Sequence, residues 1–204
     1  MFGFFRDYFY KKALSKSGYE HLLEPYDGDE AIVFDTETTG LDRKRDDIIS
    51  IAAVKVKGDR ILTSEALELY LRPTCDISAE SIKIHHIRPC DLDSAIDPEI
   101  AMKNFLDFIG NRPLVGYYLE FDIAMVNRLI KPLIGSRLPN KQIEVSGLYF
   151  DKKINLIPQG SIDLRFDTIL RDLNIPNMGQ HNALNDAIMT AMVYLKLKNK
   201  NFKL

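Results

Sequence analysis

Two carboxylates, Asp35 and Glu37, stand two residues apart in the segment FDTETTG, directly after the apolar run AIVF at 31–34. Such a run suits a buried strand ending at a site, and side chains at i and i+2 of a strand leave the same face. Both carboxylates therefore point the same way. Two anions at contact range repel by on the order of 4 kcal/mol at ordinary protein dielectric, so the pair is stable only if one member is protonated or a cation sits between them. Oxygen ligands without Cys or His suit Mg²⁺ or Mn²⁺. Asp, Thr and Gly are also turn formers, and DTETTG taken alone reads equally well as a polar turn.

Two further places could do chemistry. Asp122 lies in LVGYYLEFDIAMVNRL among residues that read as core. An Asp in a first helical turn is favoured by the helix dipole, so this residue alone reads as structural. Its competitor Glu120 falls on another face. In GQHNALNDA, His181 precedes a helix and Asp186 lies in that helix's second turn. A separation of five does not put them on one face, so His181 must reach in from the loop while Asp186 projects from the helix. Asp186 also interrupts the apolar stripe of Leu184, Ala187, Ile188 and Ala191. A carboxylate there is costly unless paired or metal-bound.

The elements that must carry these residues follow from periodicity. After the first strand, Ile48–Val56 reads as a second strand and Glu65–Leu71 as a third, with Leu67, Leu69 and Leu71 on one face. The short polar links LDRKRDD and KGDR make the three an antiparallel meander. DPEIAMKNFLDFIG is a helix with Asp97 as N-cap, Pro98 in its first turn and Gly110 at its end. A short strand is expected at 114–116, a helix from Phe121 to Ile134 with Pro132 bending its end, and a fifth strand at 142–148. Further helices are expected at 164–173 and 182–198, with residues 149–163 as an insertion or loop. Three antiparallel strands followed by alternating helices and strands give an α/β layer fold with a mixed sheet. Residues 1–28, crowded with Phe and Tyr at their start, read as an attached helical segment on a domain at 29–204. That segment is either packed on the outside of the domain or a docking element for a protein partner.

Composition narrows the classes. The chain has 204 residues, 46% of them hydrophobic and 27% charged, enough for one large core. With 27 Lys and Arg against 29 Asp and Glu the net charge is −2, which argues against gripping duplex nucleic acid by charge alone. It leaves room for an enzyme that holds a few nucleotides through metal ions. No apolar stretch is long enough to span a membrane. Arg6, Asp7, Lys11 and Lys12 interrupt any export segment, and a cytoplasmic location is expected. Cys75 and Cys90 are too few and too isolated for a disulfide framework or a zinc site.

Taken in order, FDTETTG, VGYYLEFD and HNALNDA resemble the three motifs of the DEDDh 3′→5′ exonuclease superfamily, which includes the proofreading epsilon subunit of bacterial DNA polymerase III. The match runs from about Ala31 to Leu197. The resemblance implies a ribonuclease H-like fold: a five-stranded mixed sheet flanked by helices, with the first strand central and beside the fourth. It implies that Asp35, Glu37 and Asp186 ligate metal, that Asp122 binds a second Mg²⁺ or Mn²⁺ ion through water, and that His181 is the general base. ESIKIHHI resembles an element flanking the substrate terminus, which makes Glu80 and His85 nucleotide contacts, with Thr36 and Thr38 near the terminal nucleotide. The substrate implied is a single-stranded DNA 3′ end. An RNA or short-oligonucleotide 3′ exoribonuclease uses the same residues, and a non-catalytic polymerase-docking module is the alternative of another class. This chain has Tyr117-Tyr118 where the family usually has His-Asn, His86 for Gly, and Asn182 for Arg. These departures bear on specificity and remove no catalytic group.

Overall fold

The computed structural model describes residues 12, 14–154, 161–199 and 202. Strands β1 (Glu30–Thr38), β2 (Ile48–Lys57) and β3 (Arg60–Tyr70) form the antiparallel meander. Helices α1 (Ala79–His85) and α2 (Pro98–Ile109) lead to β4 (Leu114–Gly116). Then come α3 (Leu119–Ile134), β5 (Gln142–Glu144), α4 (Val145–Ile154), α5 (Phe166–Asp172) and α6 (Ala183–Lys198). The sheet order is β3-β2-β1-β4-β5, with β4 parallel to both β1 and β5. The sheet is mixed, five-stranded and flanked by helices, as expected, and β1 lies at its centre.

β1 is buried almost throughout because both of its faces are covered. Its even positions, Ile32 and Phe34, join the core formed with α2 and α3. Its odd positions, Ala31 and Val33, join the core formed with α4, α5 and α6. This alternation decides where the next three residues point, and the carboxylate pair inherits the α6 side.

Several boundaries differ from the sequence reading. β1 runs through Asp35 and Glu37 to Thr38, so the carboxylates lie within the strand. A register shift between Glu37 and Thr38 ends its regular pairing. β3 begins five residues earlier than expected, at Arg60. The expected strand at 142–148 is a strand only to Glu144. From Val145 the chain turns into α4, whose Val145 and Tyr149 are buried four residues apart, a helical spacing. Residues 149–154, expected as loop, belong to this helix, and 155–160 lie outside the described residues. The seven-residue α1 was not read as a helix. Ser78 caps it, its Oγ accepting from Ser81 N at 3.0 Å.

Of the segment at 1–28, residues 1–11 and 13 lie outside the described residues. Leu14 and Leu22 are buried in the same core as Ile32 and Phe34. Cys75 and Cys90 are both free thiols. Among the described residues no helix is long and apolar enough to cross a membrane.

Phe34 sits one residue before Asp35 and packs on Phe105, ring centroids 5.2 Å apart. Phe34→Ala is expected to destabilise the fold by about 3–5 kcal/mol. Chemical denaturation followed by circular dichroism measures this, and a loss below about 1 kcal/mol would contradict the placement of β1 between two full cores.

Candidate active site

Parity along β1 divides the site. Asp35 and Glu37 face α6, where Asp186 projects from the helix. One carboxylate oxygen from each of Asp35, Glu37 and Asp186 lies within 4.8 Å of the others. Thr36, between them in sequence, faces α3 and meets Asp122. Asp122 Oδ1 accepts from Thr36 N at 3.1 Å and from Thr36 Oγ1 at 2.5 Å. Asp122 is therefore buried beside the cluster without being one of its three members. The topology thus brings all four sequence-predicted carboxylates together, three directly and one across the strand.

His181 reaches in from the loop ahead of α6. Its backbone is left-handed, φ 64°, and its N–H donates to Asp186 Oδ2 at 2.7 Å. The residue is exposed and lines the same cleft. Asn182 caps α6 by accepting from Asn185 N at 3.0 Å. One oxygen of Asp186 holds the loop, while the other, Oδ1, is buried without a hydrogen-bond partner among the described residues. Buried polar atoms are normally satisfied. An orphaned carboxylate oxygen facing two more carboxylates fits a hard divalent cation with oxygen ligands.

The cleft has a volume of about 550 Å³, and its lining includes the five candidate catalytic residues and the four candidate substrate contacts. Thr36 and Thr38 form part of its wall with their hydroxyls already engaged, Thr38 Oγ1 donating to the Gly40 carbonyl at 2.7 Å. Glu80 is exposed at its edge. His85 is buried, its Nδ1 accepting from Ile87 N at 3.0 Å. Its Nε2 is buried without a hydrogen-bond partner among the described residues.

Sequence reasoning missed Leu41 and Ile84 on this cleft and singled out Tyr118 only as a departure from the family pattern. Leu41, Ile84 and Tyr118 are 84%, 49% and 66% exposed, respectively. The signal was present for Leu41, a lone apolar residue ahead of the charged run DRKRDD. Its loop is clamped from α3: Arg128 donates to the carbonyls of Arg43 (3.3 Å) and Asp46 and to Asp47 Oδ1 (2.8 Å). Tyr117, the other half of the Tyr117-Tyr118 departure, is partly committed elsewhere. Its ring packs on Phe166 at 4.7 Å and its hydroxyl donates to the Leu164 carbonyl at 3.1 Å.

Crowding without a cation shifts the acids upward. Burial, then the charges of Asp122, Glu37 and Asp186, push Asp35 well above the usual carboxylate range. Glu37 is pushed up to about 8 by burial and then by Asp186 and Asp122. Burial raises Asp122 to about 7 against the opposing hydrogen bonds from Thr36. Burial also raises Asp186, opposed by the His181 N–H. These folded-state values lie above those of an unfolded chain, near 4, so the folded protein holds extra protons between about pH 4 and 8. Their contribution to stability is complete below the unfolded value and is lost as pH rises through the folded one. In EDTA, Tm is expected to fall from pH 5 to pH 8 and to be restored at pH 8 by Mg²⁺ or Mn²⁺. Differential scanning calorimetry checks this, and Glu37→Gln should flatten the slope. A metal-free Tm that rises over this window would contradict the assigned crowding.

The model of the exonuclease family matches residues 32–194. The epsilon subunit of DNA polymerase III from Rickettsia prowazekii is 31% identical over 177 residues, covering 81% of this chain and 72% of that protein. A PolC-type DNA polymerase III from Thermotoga maritima is 30% identical over 165 residues. The aligned part is 81% of this chain but 12% of that polymerase, so the chain spans about an eighth of the PolC-type relatives it matches. Among solved structures, an E. coli exonuclease I complex with single-stranded DNA superposes with a TM-score of 0.70 at 15% identity, covering 86% of this chain and 41% of that one. That likeness bears on the fold, which is ribonuclease H-like. With its family model matched from within β1 into α6 and across all three acidic motifs, the chain belongs to the exonuclease family.

Proposed function

We propose that this chain is a 3′→5′ exonuclease that hydrolyses the terminal phosphodiester of single-stranded DNA and releases nucleoside 5′-monophosphates. The observation that carries the reading is the three-carboxylate cluster with a buried, unsatisfied Asp186 oxygen and an exposed histidine on the same cleft. The polymerase-associated relatives and the single-stranded DNA held by exonuclease I support DNA as the polymer.

Asp35, Glu37 and Asp186 would hold one Mg²⁺ or Mn²⁺ ion. Asp35, next to Asp122, would share a second ion with it, Asp122 acting at one remove because Thr36 occupies its Oδ1. When bound, the ions acidify the attacking water and stabilise the leaving 3′-oxygen. His181 takes the proton from that water as the general base. The Asp186 carboxylate that accepts the His181 N–H fixes the loop and so aims the base. Leu41 and Ile84 offer exposed apolar surface to the terminal base. Glu80 and His85 contact the terminal nucleotide, and Thr36 and Thr38 shape the wall beside it. A cleft that admits only an unpaired end makes the cutting exonucleolytic. The polymerase subunits among the relatives also support a protein partner, for which residues 1–28 are the candidate surface.

A 3′-labelled single strand is expected to be degraded to 5′-mononucleotides with Mg²⁺ or Mn²⁺ and to survive in EDTA. Hydrolysis that persists in EDTA would refute the metal-dependent mechanism, and a faster rate on the ribo-oligomer of equal sequence would move the substrate to RNA. For His181→Ala, turnover should fall by about 10²–10⁴-fold while Mn²⁺ affinity by calorimetry stays near wild type. An unchanged rate would place the base elsewhere.

A further inference from the structure

Resting on the exonuclease reading, we propose that Tyr118 is a stacking site for the penultimate base, the one beside the 3′-terminal nucleotide. Three observations point there. Tyr118 is a large aromatic on the cleft that is 66% exposed. It adopts a left-handed backbone, φ 54°, a conformation uncommon for a bulky side chain and held only where the surroundings impose it. They do so through Glu144 of β5, whose carboxylate accepts from Tyr118 N at 3.2 Å and Leu119 N at 2.8 Å. Glu144 thus caps α3 in place of the Tyr118 side chain, which makes no capping hydrogen bond. The ring stands exposed at the rim, with its phenol beside Arg43.

Its surroundings suit a nucleotide. Arg43 pairs with Glu120 at 2.8 Å, and its guanidinium lies 5.7 Å from the centre of the Phe121 ring. The Glu120 carboxylate, with a smaller contribution from the Tyr118 phenol, holds the charge on Arg43. A cation and an exposed ring side by side are the elements of single-strand binding sites, where bases stack and phosphates meet positive charge.

The position identifies which base. In-line displacement puts the leaving oxygen opposite the attacking water. His181 and Asp186 lie on the α6 face of β1, whereas Asp122 lies on the α3 face, on the helix that Tyr118 precedes. Water activated by His181 therefore drives the leaving 3′-oxygen, and the nucleotide that carries it, toward α3. Tyr118 precedes Asp122 by four residues, about one turn of helix, and stands where that upstream nucleotide must lie.

The experiment compares single-stranded DNA oligomers that carry either thymine or an abasic tetrahydrofuran residue at the penultimate position, with Mn²⁺. Removal of the 3′-terminal nucleotide alone is followed. Wild type should prefer the thymine substrate by about tenfold in kcat/KM, expressed mainly in KM. In Tyr118→Ala and Tyr118→Asn that ratio should collapse toward one, and in Tyr118→Phe it should persist. Asn tolerates the left-handed backbone, so its result separates loss of the ring from a change in strain. A wild type that cleaves both substrates equally, or a Tyr118→Ala that keeps the full ratio, would overturn the stacking site while leaving the exonuclease reading intact. Failure of wild type to cleave any oligomer would overturn both.

Discussion

The repulsion among Asp35, Glu37, Asp186 and Asp122 is the constraint on which the rest of the structure depends. Four acids share a small, largely buried volume, and each is pushed toward its neutral form. Left to themselves, such groups would move apart or draw in water. They are held because β1 is locked between two apolar cores, with β2 and β4 on either side. A strand at the middle of a sheet has no freedom to swing its side chains away. Two of the acids belong to that strand, and the other two arrive on helices packed against its opposite faces. The folding energy of the cores thus opposes the electrostatic cost of the site, and a divalent cation is the simplest means of removing that cost.

The same strand sorts the acids by role. Alternation along β1 sends Asp35 and Glu37 to the α6 side and Thr36 to the α3 side. Thr36 is the hinge of this division, since its N–H and hydroxyl both bind Asp122. Asp122 thus stays close enough to Asp35 to raise its pKa, yet has one oxygen already spoken for. Three acids in direct register and a fourth at one remove is an asymmetry that follows from the pleat.

Local chemistry was legible in the sequence where a single period or cap decided it. The i, i+2 rule placed Asp35 and Glu37 on one face, and Asp97, Pro98 and Gly110 marked α2 within a residue or two. Short elements were not legible. Gln142–Leu148 carries apolar residues that serve a strand and a helix alike, and only packing of Val145 and Tyr149 beside α6 decides for the helix. The seven residues of α1 hold too few turns for a periodicity to emerge. Least legible was the choice between Tyr117 and Tyr118. It depends on Phe166 capturing one ring and on Glu144 capping the helix for the other, both contacts between residues far apart in the chain.

Both left-handed residues that line the cleft, Tyr118 and His181, are stabilised in one way. Each donates its own strained N–H to a carboxylate, Glu144 for Tyr118 and Asp186 for His181. Backbone strain of this kind persists only where neighbours over-determine it. For His181 the neighbour is itself a candidate metal ligand: Oδ2 of Asp186 holds the loop, and Oδ1 is buried without a hydrogen-bond partner among the described residues. A cation held by Asp186 would stiffen the carboxylate that fixes the His181 loop, and the placed loop would in turn orient that carboxylate. On the proposed mechanism, binding the metal and positioning the base would therefore be one event in this fold. On the proposed mechanism, loss of Asp186 would remove a ligand and release His181 together, so the effect of its substitution on turnover is expected to exceed what its share of metal affinity alone would give.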